Sequence, residues 1–158
     1  MKKRVAHPRN ECSHLWDKHK ELAQKRKKEN KGNYLETIIQ EQKGFQEKYF
    51  RVRFDSNDMK KRTEYINNNI RNLNIELLEL LDTLPYKDWK DYTKKETRWM
   101  LFKDGYKEEE WKEIQYEWVD ALHFLVNIGL MLDIDAEKAF TLYITKVEEN
   151  KNRQKNKY

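Results

Sequence analysis

Cysteine, proline and glycine are scarce in this chain: one, two and four residues among 158. With Cys12 alone no intrachain disulfide can form, a usage that fits a reducing compartment. So few glycines and prolines leave little material for turn-rich β architecture. No uninterrupted apolar run reaches the roughly 18 residues that a membrane span needs. No apolar stretch follows the N-terminal charges, so the reading is of a cytoplasmic protein without a secretory leader. Phosphate-cradling glycine loops are missing too, with neither a Walker A sequence nor GxGxxG. A nucleotide would have to be held by metal and basic side chains. His7, His14, His19 and His123 with Cys12 give no zinc spacing, and Ser13 and Ser56 have no visible His/Asp setting for a nucleophile.

What is present is charge and aromatic surface. Charged residues make up 39% of the chain, alongside five Trp, nine Tyr and six Phe. The charge alone would read as disorder, but that much aromatic area supports a folded core with charged faces and ends. The length suits one domain with one core. The net charge of +5 is uneven. Met1 to Gly32 carry eleven Lys/Arg against four Asp/Glu, a net of +7 that leaves −2 for the rest. A basic arm of this kind is either a nucleic-acid contact or a solvated extension.

The punctuation at Gly32-Asn33 sets the expected boundary between a basic arm, residues 1–32, and a helical domain, residues 33–158. Within the arm, Leu15, Trp16 and Leu22 suggest one short helix. From Tyr34 to about Phe54, Leu35, Ile38, Ile39, Phe45 and Tyr49 recur at helical spacing. Asp55-Ser56-Asn57-Asp58 reads as a turn and helix start. A long helix then runs to about Thr83, with Ile66, Ile70, Leu73, Leu77, Leu80 and Leu84 as its core stripe, before Pro85 ends it. An aromatic-rich linker with a short helical element follows, closed by Gly105. Two more helices are expected over Glu108–Leu132 and Asp135–Asn150, the second running into the tail. The expected fold is all-α, a compact helical bundle.

Two acidic pairs carry the chemistry. In "NIELLELLDTLP", Glu76 and Glu79 stand at i and i+3, on one helical face. Ile75, Leu78, Leu80 and Leu81 frame that face, unlike an ordinary solvated stripe. In "EIQYEWVDALHFLVNIGLML", Glu117 and Asp120 repeat the spacing on a helix whose apolar content predicts burial on most sides. Asp120, His123 and Asn127 share one arc of it, which points to an internal site or a paired network. Carboxylates in apolar surroundings are costly unless a cation neutralises them. Four together would suit hard, octahedral Mg²⁺ or Mn²⁺. The plain alternative is that each pair is a surface feature bonded to Lys or Arg. Near the end, Lys146, Asn150, Arg153 and Lys157 fall at i, i+4, i+7 and i+11, one face suited to polyanionic phosphates, or a frayed basic tail.

The segments "ELLELLDTLPYKDWK", "QYEWVDALHFLVNIGL" and "KVEENKNRQKNKY", in that order, resemble the dimeric dUTPases of the all-α NTP pyrophosphatase superfamily, which includes MazG-like enzymes. The resemblance spans roughly Gln40 to Tyr158. It implies that Glu76, Glu79, Glu117 and Asp120 ligate Mg²⁺, and that Glu76 or Glu79 orients or deprotonates the attacking water. It also implies that Lys146, Asn150, Arg153 and Tyr158 contact phosphates or nucleoside. Trp89, Lys90, His123 and Phe124 match positions near the base and deoxyribose, and Gln42 matches the glutamine that reads the base. The implied protein is a homodimer that hydrolyses dUTP to dUMP and diphosphate. Here the chain departs from the family at Lys157-Tyr158, where the pattern is Gly-Tyr, and in a longer stretch between Glu79 and Glu117. The alternatives are a dCTP or broader dNTP pyrophosphatase, and a non-enzymatic basic helical module binding nucleic acid or protein. Two carboxylate pairs in an apolar frame speak against nucleic acid as the partner.

Overall fold

The computed structural model describes residues 13–29, 31–83 and 108–155. Every regular element among them is a helix: α1 (Ser13–Glu29), α2 (Tyr34–Phe50), α3 (Met59–Asp82), α4 (Glu108–Met131) and α5 (Ala136–Lys155). The all-α class expected from composition and periodicity is found. The linker element, Gly105 and Pro85 lie outside the described residues.

The helix ends follow from local chemistry. α1 closes with Arg26, Lys27 and Lys28 in its last turn, where cations oppose the negative end of the helix dipole. Gly32 then takes φ +81° and its N–H bonds to Lys27 O, a left-handed turn that glycine enters without steric cost. Asn33 caps α2, its side chain accepting the Glu36 N–H at 3.2 Å. α2 ends on Arg51 in the left-handed conformation. Asp58 caps α3 by accepting the Lys61 N–H at 3.1 Å, a bond that holds its carboxyl below the ordinary range. Asp135 caps α5 by accepting the Lys138 N–H at 2.8 Å. The expected helix start at Asp55–Asp58 is therefore correct. The arm holds a 17-residue helix rather than a short one, because residues Lys20–Lys28 sustain good helix formers on both sides of Leu22.

The described chain forms two compact units. One takes Met1–Lys25 and Asn68–Leu125, the other Arg26–Asn67 and Val126–Tyr158. In the second, Ile39, Phe54, Leu130, Met131 and Ala136 make a core, with Val52, Tyr65, Ile66 and Val126 packed against it. Phe54 meets Tyr65 edge-on, centroids 5.9 Å apart. Arg62 binds this unit together. Its guanidinium donates to the carbonyls of Phe54 and Ser56, to Met131 O, and to Asp133 Oδ2 at 2.7 Å. In the first unit the buried positions include Asn69 on α3 and Ile114 and Ala121 on α4.

One expectation about burial is corrected and another refined. In the α3 stripe, Ile70 and Leu77 are exposed and Ile66, Leu73 and Leu80 only half-buried. Leu84 lies outside the described residues. α4 is buried or half-buried at most of its described positions but open along one strip, where Trp118 is 57% and Leu125 55% exposed. Periodicity marks which face is apolar. It does not say what lies against that face.

Candidate metal centre

Both acidic pairs lie in the first unit. Glu76 and Glu79 are carried by the last turns of α3, Glu117 and Asp120 by the middle of α4. One carboxylate oxygen each from Glu76, Glu79 and Glu117 come within 4.8 Å of one another. Glu76 and Glu117 are half-buried and Glu79 is exposed. The apolar frame expected around the first pair is largely open, with Ile75, Leu78 and Leu81 exposed and Leu80 half-buried.

Asp120 stands outside that three-oxygen group but within its electrostatic reach. Burial, and then the charges of Glu79 and Asp120, push Glu76 above the ordinary carboxylate range. Glu117 is raised by burial and by Glu79, Asp120, Glu76 and Glu113. Asp120 is raised by burial, with His123 pulling down and Glu79 pushing up. Among the described residues no lysine or arginine forms an ion pair with any of the four.

This donor set fits a hard divalent cation. All the donors are carboxylate oxygens, as Mg²⁺ prefers, and opposite ligands of an octahedral Mg²⁺ stand about 4.2 Å apart. A separation capped at 4.8 Å is therefore close to what a shared ion needs. A cation would also remove the mutual repulsion that raises these groups.

The other residues singled out in the sequence divide by location. His123 is exposed on α4 and Phe124 half-buried beside it. Gln42, Lys146, Asn150 and Arg153 belong to the second unit. Gln42 is 8% exposed and donates from Nε2 to Asn127 Oδ1 at 2.8 Å. Lys146, Asn150 and Arg153 are exposed on α5, where Arg153 pairs with Glu149 at 3.0 Å. Trp89, Lys90, Lys157 and Tyr158 lie outside the described residues. Sequence reasoning placed Asn127 on a polar arc but gave it no role. It missed Asn69, Gln46 with its bond from Tyr65 Oη at 3.2 Å, and Arg62. Asn69 closes the polar run Asn67-Asn68-Asn69, in which nothing marks one amide as buried.

An all-α chain with a helix-borne cluster of carboxylates is what these residues define. A family model described as dUTPase matches residues 31–141, and the chain belongs to that family, the dimeric all-α dUTPases. Membership makes it a nucleotide pyrophosphatase. No curated protein and no solved structure matches it. No helix among the described residues is long and apolar enough to cross a membrane.

Proposed function

We propose that this protein is a Mg²⁺-dependent dUTP diphosphatase, cleaving the α–β phosphoanhydride of dUTP with water to give dUMP and diphosphate. The observation that carries the reading is the cluster of Glu76, Glu79 and Glu117, with oxygens within 4.8 Å and no ion-pair partner among the described residues, in a chain of the dUTPase family. Glu76, Glu79, Glu117 and Asp120 hold the metal. Magnesium, when bound, supplies charge neutralisation for the triphosphate and for the departing diphosphate. Either Glu76 or Glu79 orients the attacking water and accepts its proton.

Lys146, Asn150 and Arg153, with Tyr158, bind phosphate or nucleoside. Gln42, Trp89, Lys90, His123 and Phe124 contact the base and sugar. Purified protein with Mg²⁺ is expected to convert dUTP to dUMP, with equal release of diphosphate. Separating the products after incubation with each dNTP and NTP decides this. Absence of dUMP at high enzyme concentration overturns the reading, and preferential release of dCMP replaces it with the dCTP alternative.

The protein acts as a homodimer in this reading. Support comes from the apolar surface one chain leaves open: Ile75, Leu77 and Leu78 on α3, Trp118 and Leu125 on α4, and Phe140 and Tyr143 on α5 are all exposed. Surface of that extent is ordinarily covered by another chain. Light scattering at low micromolar concentration is expected to give twice the 19.6 kDa chain mass; a monomer mass refutes the dimer.

A further inference from the structure

Among the described residues the buried polar side chains are three amides, Gln42, Asn69 and Asn127. Gln42 and Asn127, 8% and 2% exposed, are joined by one hydrogen bond from Gln42 Nε2 to Asn127 Oδ1 at 2.8 Å. If packing alone were served here, two aliphatic side chains would serve it without burying polar groups that must then be satisfied. We propose that Asn127 is a positioning residue that sets base selectivity, by holding the Gln42 amide in one of its two orientations. This inference rests on the reading of Gln42 as a base contact.

A glutamine amide offers an acceptor on one side and a donor on the other, and a half-turn about its last bond exchanges them. The pyrimidines differ by the same exchange. Uracil presents an N3–H donor beside an O4 acceptor, whereas cytosine presents an N3 acceptor beside an N4–H donor. An unrestrained glutamine therefore pairs with either base and selects neither. In this structure, turning the amide over would set Gln42 Oε1 against Asn127 Oδ1, two acceptors with no proton between them. Asn127 is itself 2% exposed and engaged in a further interaction. With Nε2 committed to Asn127, Oε1 is the atom left to accept the N3–H of uracil. The N3 lone pair of cytosine would face it unfavourably. Selection of this kind, where the wrong partner leaves polar groups opposed, discriminates more strongly than shape.

The test is the ratio of kcat/KM for dUTP to that for dCTP, measured on the full chain with Mg²⁺ for wild type, Asn127→Ala and Asn127→Asp. Asn127→Ala frees the amide, so the ratio is expected to fall tenfold or more, with dCTP gaining relative to dUTP. Asn127→Asp keeps an acceptor at the same place and is expected to hold the wild-type ratio. A structural role alone would lower both substrates together and leave the ratio alone. An unchanged ratio in Asn127→Ala, or a ratio moved towards dCTP in Asn127→Asp, overturns this inference while leaving the dUTPase reading intact. If Asn127→Ala does not fold by circular dichroism, Asn127→Ser, too short to reach Gln42, replaces it with the same two outcomes. No turnover of either nucleotide by wild type overturns the dUTPase reading, and this inference with it.

Discussion

Replacing Glu79 with glutamine is expected to lower dUTP turnover on the order of a hundredfold or more, while the metal-free protein stays as stable as wild type or becomes slightly more so. The substitution keeps the side chain's shape and removes one of three charges whose oxygens lie within 4.8 Å. Glu76 and Glu117 are raised first by burial and then by Glu79, so its neutralisation relieves both. The gain is roughly 1 kcal/mol at most, because water reaches these groups and screens their repulsion.

The same repulsion fixes a pH dependence. Carboxylates raised in the folded state hold protons that the unfolded chain has already released. Stability in EDTA is therefore greatest at acid pH from these groups, and falls as pH rises from the ordinary carboxylate range through the raised values of Glu76, Glu117 and Asp120. Mg²⁺ should raise the melting temperature of wild type at neutral pH more than at pH 5, and more than that of Glu79→Gln. Thermal melts with EDTA and with Mg²⁺, beside the dUTP assay, check all of this. A Glu79 that serves as a surface salt bridge gives the opposite pattern: modest destabilisation, no metal response and intact turnover.

Removing the chain after Glu149 is expected to abolish most dUTP hydrolysis and to leave the helical fold nearly untouched. Residues 150–155 are exposed throughout. The ion pairs lost with them, Arg153 to Glu149 and Lys151 to Glu148, join exposed side chains and contribute little. The core of Ile39, Phe54, Leu130, Met131 and Ala136 keeps all its members. What goes is a row of cationic and amide donors, Asn150, Arg153 and Lys157, assigned here to phosphate. Activity should fall by on the order of a hundredfold or more, chiefly through KM, while the far-ultraviolet circular dichroism changes only by the lost turn. Turnover equal to the full chain's would show that the tail is a solvated extension.

How far the sequence could be read depended on how local the signal was. Asn33, Asp58 and Gly32 act within a few residues of themselves, so the starts of α2 and α3 could be placed in advance, whereas α2 ends at Phe50, short of the expected Phe54, where Arg51 turns left-handed. The i, i+3 acidic pairs are equally local, since helical geometry alone puts each on one face. Exposure is not local. Trp118 and Leu125 have the pattern of buried residues and stand in water in one chain. Gln42 and Asn127 are 85 residues apart, and no periodicity announces that one amide will meet the other. Arg62 was hidden for another reason: beside Lys60 and Lys61 it reads as one more surface cation. Its side chain is only 16% exposed, and its partners come from two separate turns.

That guanidinium has a consequence for how the second unit opens. It holds the 51–58 loop through two carbonyls and the end of α4 through Met131 O and Asp133. The flat fork of an arginine can satisfy that many acceptors at once, and a lysine ammonium in the same place cannot. The two turns are thereby made into a single cooperative element of local unfolding. Their amides should exchange with solvent as one group, since neither turn can be released without stripping the other of its shared donor.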